Sequence, residues 1–271
     1  MSTATAERIE ADDKIVAKKQ GNIGHIIVNN PEKRNAFSLD MSIAAAAVMD
    51  DFLADNSVRV IVLSGTGGKA FISGADISKF EQSRATKEQV ESYNQKSERF
   101  RLLLKDSAKP TIAMIRGYCL GGGMGIALNC DLRICTEESS FGIPAAKLGI
   151  GYQGDRLGQL VDLVGPSAAK DIMFTARRVP APEALRLGIV NYVVPSAELE
   201  TFVESYANTI AGNAPLSIIA AKRVIDEYVK DGDKRDNALT EKVVSDCFAS
   251  EDYVEGRRAF MEKRKANFKG K

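Results

Sequence analysis

The residues best placed for chemistry in this chain are glycines. Gly117-Tyr118-Cys119-Leu120-Gly121-Gly122-Gly123-Met124-Gly125 follows the apolar run Thr111 to Ile115 and precedes Ile126-Ala127-Leu128. Consecutive glycines weaken a helix by about 1 kcal/mol each relative to alanine, so a helix start alone does not select them. At a helix N-terminus they let backbone N–H groups approach a ligand, and the helix dipole favours negative charge there, either a phosphate or a developing oxyanion. A phosphate loop would be stronger with Gly-Lys-Ser/Thr where Met124-Gly125 stands. Close packing of a helix on a sheet is the alternative.

A second glycine cluster, Ser64-Gly65-Thr66-Gly67-Gly68-Lys69-Ala70, fits GxGxxA after a strand, a loose form of the dinucleotide fingerprint. That fingerprint must open a helix, whereas Phe71 to Ile77 reads as extended, so Gly65 to Gly68 reads as a surface turn. Other chemistry is scarce. His25 is the only histidine, and Cys119, Cys130, Cys135 and Cys247 have no CxxC spacing, so no Cys/His metal cluster is expected. Any Ser-His-Asp triad would have to use His25.

The elements that position these residues alternate. Lys14 to Asn29 reads as two strands around Gln20-Gly21-Asn22, Leu39 to Ala54 as a helix capped by Ser38, and Val58 to Leu63 as a buried strand. A charged helix over Lys87 to Lys105, a strand over Thr111 to Ile115, a helix from Gly122 and a strand over Leu132 to Cys135 continue the pattern, which predicts an α/β layered core. After Pro195, helical patterns over Ala197 to Ala211, Leu216 to Lys230, Asn237 to Ala249 and Asp252 to Lys265 leave no strand candidate. The division is a flexible leader over 1–13, a core over 14–195 and a helical region over 196–271.

The chain has 271 residues, 37 basic and 36 acidic, a net charge of +1 that points to no nucleic-acid or polyanion partner. With 44% hydrophobic and 27% charged residues it reads as globular rather than disordered. No window approaches the roughly 18 continuous apolar residues of a spanning helix, so no membrane segment is expected. Unpatterned thiols suggest a reducing compartment, and Met1 to Asp13 lacks the marks of a signal or transit peptide; a cytoplasmic location is the expectation.

Several blocks together resemble the crotonase, or enoyl-CoA hydratase/isomerase, superfamily: Pro31-Glu32-Lys33-Arg34-Asn35-Ala36, Lys69-Ala70-Phe71 followed by Ser73-Gly74-Ala75-Asp76-Ile77, Gly117 to Gly123, Cys130-Asp131-Leu132, Phe141-Gly142 with Leu148-Gly149, and Phe260-Met261-Glu262-Lys263-Arg264. They run in order over nearly the whole chain. The resemblance implies a core of repeated β-β-α turns, a helical C-terminal region that mediates trimers or hexamers, and a coenzyme A thioester as substrate without a prosthetic group. It implies that the N–H groups of Ala75 and Gly122 form an oxyanion hole, and that the coenzyme lies near Arg34, Ala36, Ala70, Ala75, Asp76, Ile77, Phe260 and Lys263. The physical logic agrees: two fixed donors aimed at an enolate oxygen contribute several kcal/mol and carry no side-chain signature.

The two hydratase glutamates of that superfamily are missing. Gly125 stands at the first position and Ala145, after Pro144, at the second. Tyr152 stands where the methylmalonyl-CoA decarboxylase branch has a tyrosine, and Ser250-Glu251-Asp252-Tyr253 also looks like that branch, although Ala75 replaces its histidine. Decarboxylation needs an enolate-stabilising hole and a proton source but no base. The expected reaction is therefore decarboxylation of a malonyl-type thioester, with Tyr152 and Asp155 as candidate catalytic side chains and Arg156 as a surface partner. Weak enoyl-CoA hydration or isomerisation, acyl-CoA hydrolysis and non-catalytic acyl-CoA binding are the alternatives.

Overall fold

The structure is a computed structural model that describes residues 7–76, 87–152 and 154–271, with side chains described at 13–76, 95–152, 154 and 156–271. Its β-strands fall into two sheets, and the chain visits them by turns. The larger sheet has seven strands in the order β1 (Glu7–Asp12), β2 (Ile15–Gln20), β3 (Ile23–Val28), β4 (Val60–Gly65), β6 (Thr111–Ile115), β8 (Leu132–Thr136), β11 (Tyr192–Val194). The smaller has four: β10 (Val179–Pro180), β9 (Ser140–Gly142), β7 (Tyr118–Leu120), β5 (Ala70–Ile72). β4, β6 and β8 each send the chain to the small sheet, through β5, β7 and β9. The helices α2 (Lys87–Lys105) and α3 (Gly122–Leu128) then return it to the large sheet, whereas α4 (Gly154–Thr175) leads to β10 of the small sheet and the chain reaches β11 only after a further short helix. These are the expected β-β-α turns.

β4 shows why the core forms. All of Val60, Ile61, Val62, Leu63 and Ser64 are buried, with alternate residues on opposite faces. Ile61 and Leu63 join the main core with Met49 and Phe52 of α1 (Leu39–Ala54), while Val60 and Val62 pack with Leu199, Val203 and Ala207 of α6 (Leu199–Ala211). The first of the C-terminal helices thus covers the large sheet of its own chain. Between lie the short α5 (Ala181–Arg186) and, beyond, α7 (Pro215–Tyr228), α8 (Asn237–Phe248) and α9 (Glu251–Met261).

Ser38 caps α1, its side chain accepting from the Met41 N–H, as the sequence predicts. Gly65 to Gly68 forms the expected turn between β4 and β5. One expectation changes, and one element is new. Residues 7–12, assigned to a flexible leader, instead pair antiparallel with β2 as an edge strand, which short polar sequences do without a period-2 apolar signature. α4 was not foreseen as one long element because Gly165, at φ 74°, and Pro166 break it in two. Among the described residues no helix is long and apolar enough to cross a membrane.

Candidate active site

The site begins where residues 34–37 run beside residues 73–76. Asn35 is fully buried in a left-handed conformation, φ 55°, directly after Arg34 at φ 52°. Two such residues in a row are costly and need strong anchoring. The Asn35 amide provides it, accepting from the Asn30 N–H at 2.9 Å and donating to the carbonyls of Thr66 at 2.9 Å and Ala70 at 2.7 Å. This ties the backbone between Arg34 and Ala36 to the carbonyl of Ala70.

Phe37 then makes a parallel bridge to Ala75. Its N–H donates to the Gly74 carbonyl at 2.9 Å, and its carbonyl accepts from the Asp76 N–H at 3.0 Å. Because the bridge uses the peptide groups flanking Ala75, the Ala75 N–H points away from Phe37 and has no backbone acceptor among the described residues. Asp76 also pairs with Lys33 at 3.2 Å. Ile77 lies outside the described residues.

The three glycines face this strand, each for a different reason. Gly121 caps α3 at φ 54°, and its carbonyl accepts from the Gly125 N–H at 3.1 Å, the first bond of the helix. Gly123 is buried, and a Cβ there would strike the Ile72 carbonyl oxygen at 2.2 Å, so glycine is what lets α3 touch β5. Gly122 is exposed between them; as the first helical residue it has no intrahelical acceptor for its N–H. A Cβ on Gly122 would stand 3.7 Å from the Ala75 nitrogen. Two free N–H groups therefore border one gap that no side chain fills.

That gap opens into a cavity of about 140 Å³. Phe37 and Phe100, their rings stacked with centroids 6.1 Å apart, form an apolar wall together with Ile126 of α3. Gly125 lines it too, with nothing within 4 Å of where its Cβ would be, whereas Ala145 is buried in the main core. Neither superfamily glutamate position offers a carboxylate. Tyr152 lines the same cavity; burial pushes its phenol above the ordinary value, with the Arg156 charge partly opposing, so the hydroxyl stays protonated at neutral pH. No hydrogen bond among the described residues engages that hydroxyl.

The cavity also holds charges that the sequence reading missed. Glu98 and Arg101 of α2 are ion-paired, and Glu98 meets Arg156 of α4 at 2.9 Å. All three line the cavity. Arg156, expected at the surface, is instead partly buried because the first turn of α4 faces α2. The available signal was the i, i+3 spacing of Glu98 and Arg101 beside the inward Phe100 and Leu104, hidden in a helix charged throughout. The Asp155 side chain lies outside the described residues.

Phe260 and Lys263 are not brought to this site. Phe260 is 83% exposed near the end of α9, and among the described residues no hydrogen bond, ion pair or ring contact links either residue to Arg34, Ala36, Ala70 or the cavity.

The arrangement can stabilise negative charge on a carbonyl oxygen lodged between two N–H groups and supply a proton from a phenol. Over nearly its whole length the chain is similar to proteins named for enoyl- and carnitinyl-CoA thioesters. The family model for enoyl-CoA hydratase/isomerase matches residues 18–271. The chain is 34% identical to the short-chain-enoyl-CoA hydratase of Clostridium acetobutylicum, covering 93% of this chain and 96% of that protein. It is 33% identical to the carnitinyl-CoA dehydratase of Proteus mirabilis, covering 93% and 97%. The crystal structure of an enoyl-CoA hydratase/carnithine racemase from Magnetospirillum magneticum superposes with a TM-score of 0.92 at 31% identity, covering 97% of each chain.

Proposed function

The chain belongs to the enoyl-CoA hydratase/isomerase (crotonase) superfamily, and from that premise we propose that it decarboxylates a malonyl-type coenzyme A thioester. The observation that carries this reading is the company Tyr152 keeps: a protonated phenol shares a cavity with the N–H groups of Ala75 and Gly122, while Gly125 and Ala145 leave both hydratase positions without a carboxylate.

The thioester carbonyl oxygen sits between the two N–H donors. The bond from the α-carbon to the substrate carboxylate breaks, its electron pair enters the thioester as an enolate, and CO₂ leaves. The Tyr152 hydroxyl proton forms the new C–H bond, and water returns a proton to the phenolate. Each backbone donor is worth roughly 10²- to 10³-fold in rate because it needs no reorganisation when the charge develops. The reaction requires no base, which suits a phenol whose burial holds it protonated. Arg34, Ala36, Ala70 and Asp76 border the coenzyme. Phe260 and Lys263 complete its nucleotide site from a neighbouring subunit, which accords with their separation from the cavity within one chain.

One observation favours a second reading, enoyl-CoA hydration: Glu98 is a carboxylate in the same cavity. Both its oxygens are engaged, one by Arg101 and one by Arg156, which leaves it poorly placed to take a proton from water.

The deciding experiment follows CO₂ release from malonyl-CoA and methylmalonyl-CoA beside hydration of crotonyl-CoA. CO₂ release that falls at least about tenfold in Tyr152→Phe, which loses one oxygen and little volume, is the expected result. No CO₂ from either thioester, or an equally active phenylalanine variant, overturns the decarboxylase reading and moves hydration, thioester hydrolysis or non-catalytic binding ahead.

A further inference from the structure

We infer that the cavity is built for an acyl group carrying a second carboxylate, and that Arg156 is the residue that binds it. This rests on the acyl-CoA reading of the site but not on any particular reaction there, and it extends to acyl chains longer than malonyl.

Arg156 leaves the first turn of α4 and lines the cavity that the Ala75 and Gly122 N–H groups open into. Its contact with Glu98 uses one guanidinium nitrogen, Nη2, at 2.9 Å, while its Nε is buried with no hydrogen-bond partner. A guanidinium presents five donors in a planar fork, so an arginine held at one corner with a buried donor unsatisfied is set to turn towards any acceptor that enters beside it. The charge balance points the same way. Among the described residues lining the cavity, Arg101 and Arg156 contribute +2 and Glu98 contributes −1, an excess of +1 against walls made of Phe37, Phe100, Ile126 and Tyr152. Shielding from water by such walls strengthens the pull on an anion.

A neutral acyl chain would cover this cation with hydrocarbon and give it nothing. A carboxylate on the acyl chain would pair with it, two oxygens against the fork, in the geometry that arginine recognises best. Glu98 is the resident counter-ion: it orients the guanidinium before substrate arrives and competes with the substrate carboxylate afterwards. Selection is thus for the coenzyme A monothioester of a dicarboxylic acid over a monocarboxylic one of equal length.

The test is equilibrium binding by isothermal titration of malonyl-, succinyl- and glutaryl-CoA beside propionyl- and butyryl-CoA, for wild type, Arg156→Gln, Arg156→Lys and Glu98→Gln. Wild type should prefer at least one dicarboxylic thioester by at least about tenfold, and Arg156→Gln should cut that ratio by about tenfold or more, the worth of one charged hydrogen-bonded pair. Arg156→Lys should keep part of the preference, because it keeps the charge and loses the fork. Glu98→Gln should tighten dicarboxylic binding, a change in the direction that structural damage cannot produce. Equal affinity for both classes in wild type, an Arg156→Gln variant that retains the preference, or weaker dicarboxylic binding in Glu98→Gln overturns the inference while leaving the acyl-CoA site standing. Failure of every thioester to bind overturns the acyl-CoA reading itself.

Discussion

The amide nitrogen of Ala75 lies 3.7 Å from the point where a Cβ on Gly122 would sit. On the proposed reading a thioester oxygen accepts from both N–H groups in this gap, so a side chain at Gly122 would crowd it. Gly122→Ala is expected to lower turnover of the preferred thioester steeply while leaving the fold intact, since alanine favours the helix that Gly122 begins. Gly122→Pro removes the donor as well as placing carbon in the gap, and the difference from Gly122→Ala reads the N–H, because proline is tolerated at the first helical position. Loss of one such donor should lower kcat by roughly 10²- to 10³-fold with an unchanged circular dichroism spectrum. Kinetics equal to wild type in either folded variant would remove Gly122 from the reaction.

Gly125 tests the missing acid and base from the other side. A Cβ there meets nothing within 4 Å, so its glycine is not demanded by packing. Gly125→Ala should raise stability by roughly 0.5–1 kcal/mol in urea denaturation, the cost of glycine within a helix. Wild type should hydrate crotonyl-CoA very slowly, because each absent general acid or base is worth roughly 10²- to 10⁴-fold. Gly125→Glu places a carboxylate in the cavity without a clash at Cβ and should raise that hydration measurably. Wild-type hydration near a typical enzyme turnover of about 10 per second would show that another group, Glu98 first, already does this work.

How far the sequence could be read follows from what each residue must satisfy. The strand, helix and glycine positions around Gly122 were legible because backbone geometry constrains them locally: Gly123 must be small to clear Ile72, and Gly121 must adopt a positive φ. The two sheets were not, since β5, β7 and β9 are three residues each, too short to show a period. Glu98 and Arg156 stand 58 positions apart, and nothing local in either helix says that they meet. The role of Asn35, which bonds to the Asn30 N–H and to the distant carbonyls of Thr66 and Ala70, was equally silent, because an asparagine in a turn ordinarily bonds only to its own neighbours.

The last helices bear on assembly. α6 is spent on the large sheet of its own chain, yet α7 and α8 leave Ile225, Tyr228 and Phe248 each more than 60% exposed, and α9 leaves Phe260 so. Large apolar side chains left exposed on consecutive helices are what a partner chain would cover, and a trimer or hexamer is the assembly expected. Light scattering at micromolar concentration should return three or six times the 29.3 kDa chain mass. Phe248→Glu with Tyr228→Glu should shift it towards the monomer and weaken thioester binding, if Phe260 and Lys263 serve a neighbour. A wild-type mass near 29.3 kDa would overturn this assembly.

His25 gives stability a pH dependence that the carboxylates do not explain. It lies on β3 opposite Lys18 of β2, its Nε2 is buried without a partner, and burial, followed by the Lys18 charge, lowers its pKa from an ordinary 6.5 to about 4. The unfolded chain takes up the proton first, so acid favours unfolding: the stability due to neutral His25 is complete above pH 6.5 and is lost progressively between 6.5 and about 4. At about 1.4 kcal/mol per unit, the loss at the acid end approaches ~3 kcal/mol. As the pH is lowered from 7.5 to 4, urea midpoints should fall more steeply for wild type than for His25→Leu, which cannot charge. Parallel profiles for the two proteins would show that the folded state accepts the His25 proton at no cost and that the imidazole has a partner in solution.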